Sequence, residues 1–388
     1  MGKALIKEDK RRDLNSVFLA LLILSNLVAN CISMFVRIPN IFALTVTVIA
    51  SLSVLLTGIK LNNKIRLLIC VVMLQFLFSF LSIDSIETTR YLLSFIFIGI
   101  PSIVIATKPF DIYKTIKAVQ VISLLCIPYF IFIIQSTFTI YDSGELMGIG
   151  YAILPVLISS LIIVFGNYKR NWKCLAILNF ALVYLASSQL ISRGYFFSAI
   201  AAFLLLIFFK IKNHPLTLIR ACILLIIIAI PFFTFALKSL ESSHLYYTLF
   251  EWKSGNFLNG RSSDIQNVMS NRTSGDILFG SGIGSYYANF KLDYVHNLFG
   301  MLFYEMGIFS TIAAFILIIK GVIKMLTTKS NETQTTIIFL LCTSIIRLMV
   351  SYNFWIDQIF WIFISVMLCK YTRNIYFQSL NQGINKIQ

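Results

Sequence analysis

About twelve apolar runs of roughly bilayer-crossing length, separated by polar connections, constrain this chain more than any other feature. They lie near 14–36, 41–59, 67–83, 91–107, 118–138, 149–166, 174–191, 195–209, 221–237, 297–319, 335–350 and 354–369. A soluble fold has no way to bury them all: 58% of the 388 residues are hydrophobic, only 12% are charged and Phe alone numbers 35. In hydrocarbon a chain must satisfy its backbone polar groups internally, and runs this long do so as helices. The expectation is an all-α integral membrane protein of about twelve transmembrane helices.

The charges sort the connections. Alternate connections hold Lys10 to Arg12, Lys64 and Arg66, Lys108 to Lys117, Lys169 to Lys173, Lys210 to Arg220, Lys320 to Lys329 and Lys370 to Lys386, while the opposite short loops hold only Arg37, Arg90 and Arg193. This asymmetry predicts cytoplasmic termini and an external loop over roughly 238–295. The formal charge of +16 therefore reads as topology and gives no sign of a nucleic-acid partner. The expected organisation is nine transmembrane helices over 1–237, an external helical loop over 238–296, and three helices with a cytoplasmic tail over 297–388. The seven cysteines show no paired spacing, which indicates neither a disulfide framework nor a zinc site. The basic N-terminus leads into a run too long for a signal-peptide core, so it reads as a retained first helix.

The long loop carries helix signals. Ser239 to Ser254 reads as one helix, and Ser263 with Gln266 forms a capping box for a second that should end near Gly275. One hairpin stands out. The run after Ser192-Arg193-Gly194 ends near Phe209, about 15 residues or roughly 22 Å of helix, which would draw Arg193 below the membrane surface. A sunken arginine needs a polar cavity, an anion or a route to headgroup phosphates.

The join over 280–307 gathers unusual residues: Gly280, Gly282 and Gly284, Tyr286 and Tyr287, then His296-Asn297, Gly300 and Gly307. On a continuous helix Gly300, Phe303 and Gly307 would share the His296 face, leaving room for a helix or a long lipid; a helix-start histidine over a packing groove is the plainer alternative. The three glycines read as a tight loop approaching a helix or ligand closely, with no strand before them to make a dinucleotide site. Arg261, just ahead of the capped helix, suits a phosphate or diphosphate. Arg272 suits the C-terminal end of that helix. Three more ionisable residues fall in or near apolar runs, and the expectation is that Glu305 or Asp357 pairs with Arg347. No Asp-x-Asp, Walker A, HExxH or serine-nucleophile motif occurs, which argues against a metal-dependent sugar-nucleotide transferase and an ATP-driven pump.

His296-Asn297, nine residues and then Gly307 resembles the His-Asn-x9-Gly signature of the O-antigen polymerase and O-antigen ligase superfamily. Gly260-Arg261 followed by Phe279-Gly280-Ser281-Gly282-Ile283-Gly284 resembles its Gly-Arg block, and Ser192-Arg193-Gly194 its Ser-Arg-Gly turn. The resemblance covers roughly the second half of the chain. It implies a GT-C-like membrane glycosyltransferase that needs no metal or other cofactor. Its donor would be an undecaprenyl-diphosphate-linked glycan at the periplasmic face of the bacterial inner membrane, and a chain-length regulator a possible partner. Carried over by position, Arg193 and Arg261 hold the diphosphate and His296 orients or deprotonates the acceptor. Arg272, Asn297, Gly280, Gly282, Gly284 and Tyr286 make up the surrounding substrate-binding set. Ser310 stands where ligases usually have Gly, Thr or Tyr, and no Trp follows Gly260-Arg261. Both departures favour a polymerase over a ligase. A lipid-linked-sugar flippase is the alternative from another class, and the folded external loop argues against it.

Overall fold

The computed structural model describes residues 2–59, 61–82, 86–135, 143–187, 193–213, 268–269, 272–292, 295, 297–350 and 353–369. All the regular structure among them is helical. The first helices are α1 (Gly2–Ile23), α2 (Ser25–Ser33), α3 (Ile41–Thr57), α4 (Asn63–Ser82) and α5 (Ile86–Ser94), the last running through a π-helical turn at Phe95–Gly99 into α6 (Ile100–Ala106). Next come α7 (Ile112–Leu125), α8 (Ile127–Gln135), α9 (Ser143–Phe165), α10 (Arg170–Ser187) and α11 (Arg193–Asn213). Two short helices, α12 (Ser274–Phe279) and α13 (Ser285–Phe290), precede the long α14 (Leu298–Thr327). Then α15 (Asn331–Leu340) passes through a second π-helical turn at Leu341–Ile345 into α16 (Ile346–Leu348), and a 3₁₀ turn at Phe354–Ile356 leads into α17 (Gln358–Cys369).

Among the described residues four helices are long and apolar enough to cross a membrane, or up to six if each of two bent pairs is one span. Three shorter apolar helices, Ile41–Thr57, Phe197–Lys210 and Gln358–Cys369, accompany them. The chain is thus a helical membrane protein, with the expected 221–237 run outside the described residues. The bends have local causes. The α1–α2 pair turns by 58° where the Ser25 hydroxyl donates to the Leu22 carbonyl, and the α7–α8 pair by 59° where Pro128 cannot donate to the preceding turn. The π-helical turn before α6 sits at Pro101, which removes another backbone donor.

α11 has 21 residues, about 31 Å, and continues past Phe209 through Lys210, whose ammonium reaches the Phe165 carbonyl, while its apolar stretch Phe197–Lys210 is short, as expected. Two expectations need correction. Gly275 does not end a helix but lies inside α12, which Thr273 and Asp276 start as a reciprocal capping box. The Thr273 hydroxyl and N–H hold the Asp276 carboxyl below the usual carboxylate range. The segment from Leu298 is not one regular helix, since α14 breaks at Gly307.

Polar contacts gather the basic connections at one end of the bundle. Arg12 pairs with Glu332 and Lys114 with Asp13, Asn62 reaches Cys369, and Lys108 sits on the last turn of α3. Midway, Gln120 of α7, Ser159 and Ser160 of α9 and Asn179 of α10 form a wholly buried hydrogen-bonded set that fixes how these three helices pack. Beyond its break, α14 exposes Ile312, Phe315, Ile316, Ile319 and Ile323, a stripe at helical spacing suited to lipid. The 280–307 join lies at the end opposite the basic connections.

Candidate functional site

The Gly280–Gly284 loop and the first half of α14 are locked together by backbone bonds. Gly307 adopts φ 75° and ψ −178° inside α14. A helical carbonyl normally accepts from the N–H four residues on, and the positive φ at Gly307 redirects the chain whose N–H groups would serve the carbonyls just before the break. The loop supplies replacements. Ser281 N–H donates to Tyr304 O at 2.8 Å and Gly282 N–H to Glu305 O at 3.1 Å. The Arg272 guanidinium takes the rest, donating to Tyr304 O at 2.6 Å, to Phe303 O at 3.3 Å and to the Ser281 hydroxyl at 3.3 Å. It also stacks 4.6 Å and 4.7 Å from the ring centroids of Phe303 and Tyr304.

Glycine is required on both sides of this seam. A Cβ on Gly280 would fall on the Glu305 carbonyl, and one on Gly307 would meet the Leu278 carbonyl and lie 2.6 Å from the Gly280 nitrogen. Both residues have a positive φ that side-chain-bearing residues rarely adopt.

Beneath the loop sits Glu305, fully buried. One carboxylate oxygen accepts the Gly284 N–H and the other the Trp355 indole N–H, each at 2.9 Å. Trp355 is buried too and packs against Phe76, Tyr91 and Phe95. The other side of the loop is held by α4 and α5: Ser79 Oγ accepts the Ile283 N–H at 2.7 Å, Thr88 Oγ1 donates to Ile283 O at 2.8 Å, and Gln75 donates to Phe279 O at 2.9 Å. Four segments far apart in sequence thus hold one five-residue loop.

Of the residues named from the sequence, Asn297 is the N-cap of α14, its side-chain oxygen accepting the N–H groups of Phe299 and Gly300. Tyr286 is wholly buried between Phe290 and Tyr304. Gly282 and Gly284 are buried in the loop, and the backbone of Gly280 is engaged in the seam. The terminal nitrogens of Arg272 donate to the Phe303 and Tyr304 carbonyls and to the Ser281 hydroxyl. Together these residues hold the glycine loop against the first turns of α14. His296 and Arg261 lie outside the described residues, as does the expected helix from Ser263. Arg193 is the first residue of α11 and is described in its backbone only.

The expected buried pairing goes to Asp357: Arg347 Nη2 lies 2.6 Å from its Oδ1, with the side chains 3% and 0% exposed. Glu305 takes no part in it. No sequence signal indicated the partners of the loop, because Ser79, Thr88 and Trp355 belong to no local pattern around the glycines.

Fold and site define a helical membrane protein with an interlocked glycine loop and broken helix at one end of its bundle. No protein-family model matches the chain, and neither curated proteins nor solved structures provide a significant relative.

Proposed function

We propose that this protein is a polymerase that joins undecaprenyl-diphosphate-linked oligosaccharide repeat units at the periplasmic face of the bacterial inner membrane. An acceptor hydroxyl attacks the anomeric carbon of the donor's first sugar. The new C–O bond forms as the bond to the diphosphate oxygen breaks. Undecaprenyl diphosphate leaves with the bonding electrons, and the hydroxyl proton passes to His296. Arg193 and Arg261 bind the diphosphate and stabilise the charge that grows on it. The glycine loop, Arg272 and Asn297 set the position of the segment carrying His296. The supporting observation is the seam itself: the two motif blocks of the resemblance are bonded through Ser281 and Gly282 to Tyr304 and Glu305, and the helix breaks at the motif's last glycine. A GT-C-like arrangement of about twelve spans, with the termini in the cytoplasm and a chain-length regulator as partner, belongs to the same reading.

A deletion strain tests it. Loss of a polymerase leaves lipid A–core carrying one repeat unit, or, for a capsule, loss of polymer with lipid-linked single units retained. Bare core with long chains accumulating on undecaprenyl diphosphate would make the protein a ligase. In the purified protein, Arg193→Ala and Arg261→Ala are each expected to lower activity roughly ten- to hundredfold, the loss of a charge-assisted contact of about 1.5–3 kcal/mol. His296→Ala is expected to lose turnover yet keep its affinity for the lipid diphosphate. Activity is expected to survive EDTA; abolition by chelation with rescue by a divalent metal would overturn the metal-independent mechanism.

A further inference from the structure

The start of α11 at Gly194 stands on a second buried arrangement, built on a defect in α9. Pro155 lies inside that helix and has no N–H for the carbonyl four residues back, that of Tyr151. Arg347 fills the vacancy: its Nη1 donates to Tyr151 O at 3.3 Å, and its guanidinium carbon lies 4.9 Å from the centroid of the Tyr151 ring. The other branch of the fork pairs with Asp357. Asp357 is fixed in turn, since its Oδ1 accepts the N–H groups of Ile359 (2.9 Å) and Phe360 (3.3 Å) at the start of α17, and its Oδ2 accepts the Ser344 hydroxyl at 2.9 Å. On the far side of Tyr151 the chain enters α11. A Cβ added to Gly194 would lie 2.5 Å from the Tyr151 hydroxyl oxygen, so the backbone after Arg193 rests on the edge of this ring. Tyr195, next in the chain, is buried, and α11 packs along both α9 and α16.

A buried ion pair seldom adds net stability over apolar residues of similar volume, and charges inside a membrane protein are costly. Its return here is geometric. One guanidinium joins the cap of α17, the π-helical turn before α16, the proline defect of α9 and, through Tyr151, the first residues of α11. We propose that Arg347 is a positioning residue for the donor's diphosphate, which through Tyr151 fixes the backbone of Arg193 and Gly194 at the start of α11. The proposal rests on the polymerase reading for its ligand, but its mechanical half does not.

Two variants test it in the full-length protein in lipid nanodiscs. Arg347→Lys keeps the charge beside Asp357 but lacks the fork needed to reach Tyr151 O as well. Gly194→Ala leaves every charge in place and pushes on Tyr151. The first readout is a spin label at Arg193→Cys in a background without other cysteines. Each change is expected to increase the mobility of the label, and a spectrum unchanged in both overturns the proposal. The second readout is affinity for undecaprenyl diphosphate against undecaprenol, with Arg193 retained. Each variant is expected to bind the diphosphate about tenfold more weakly and undecaprenol equally well, with kcat at saturating donor within about threefold of the parent. A purely structural role would lower the yield of folded protein and leave this discrimination intact, so unchanged diphosphate affinity in the folded variants overturns the proposal even if the label moves. A parent protein that does not prefer the diphosphate sinks the polymerase reading and the ligand half of the inference together, while the label still decides whether Arg347 sets the start of α11.

Discussion

Single residues decide how the glycine loop and the helix after it fit. Gly307 breaks the regular course of α14, and the carbonyls of Phe303, Tyr304 and Glu305 before the break accept from Arg272, Ser281 and Gly282. Glu305 shows why an acidic residue is kept in so apolar a setting: two donors converge on it, and a neutral side chain with one acceptor would leave one of them buried and unmet. Gly307→Ala should be the most damaging small change in this region. The positive φ alone costs roughly 1–2 kcal/mol, and displacing the Leu278 carbonyl and the Gly280 nitrogen adds to it. A fall in melting temperature of several degrees in detergent is expected, and a melting temperature equal to the parent's would mean that the seam is dispensable. The sequence made these glycines visible as a cluster. It did not disclose that Gly280 and Gly307 face each other, because that contact joins segments 27 residues apart with no shared periodicity.

At the scale of elements, the helices follow the hydrophobic runs, and several departures sit where a proline or serine removes or diverts a backbone bond, at Ser25, Pro101, Pro128 and Pro155, while α14 breaks at Gly307. The helix α11 runs longer than its short apolar stretch, since the stem of Lys210 continues it while the ammonium reaches the Phe165 carbonyl. The join of α3 to the segment after α6 yields a pH prediction. The Lys108 ammonium is buried against Ser53 O, Ser53 Oγ and Thr57 Oγ1, and burial lowers its pKa from the usual 10.5 to about 8. The unfolded chain therefore holds this proton at pH values where the folded one has released it, so stability gains a contribution as pH rises from about 8 to 10.5 and none below that window. The difference in melting temperature between the parent and Lys108→Met should shift in the parent's favour across that window and stay flat between pH 6 and 7.5. A flat difference throughout would mean that Lys108 is solvated.

For the whole molecule, among the described residues, Arg12, Asn62 and Lys114 meet partners at one end of the bundle, and the glycine loop lies against the far end of α4 at Ser79. If the basic end is cytoplasmic, a single cysteine at Asn259 should react with an impermeant maleimide in intact spheroplasts and one at Asn62 should not; the opposite labelling would invert the topology. The sequence by itself determined the helical membrane class, the approximate course of the apolar runs and the charge asymmetry, and narrowed the partner of Arg347 to Glu305 or Asp357, because hydrophobicity, helix periodicity and the cost of an unpaired buried charge act locally or admit few solutions. Only the tertiary structure decided that Asp357 and not Glu305 meets Arg347, that Glu305 carries the glycine loop, and that Tyr151 lies against Gly194. Those choices depend on which helices stand side by side, and in an apolar surround many helix neighbours bury the same surface. The few polar groups left to satisfy are what select among them.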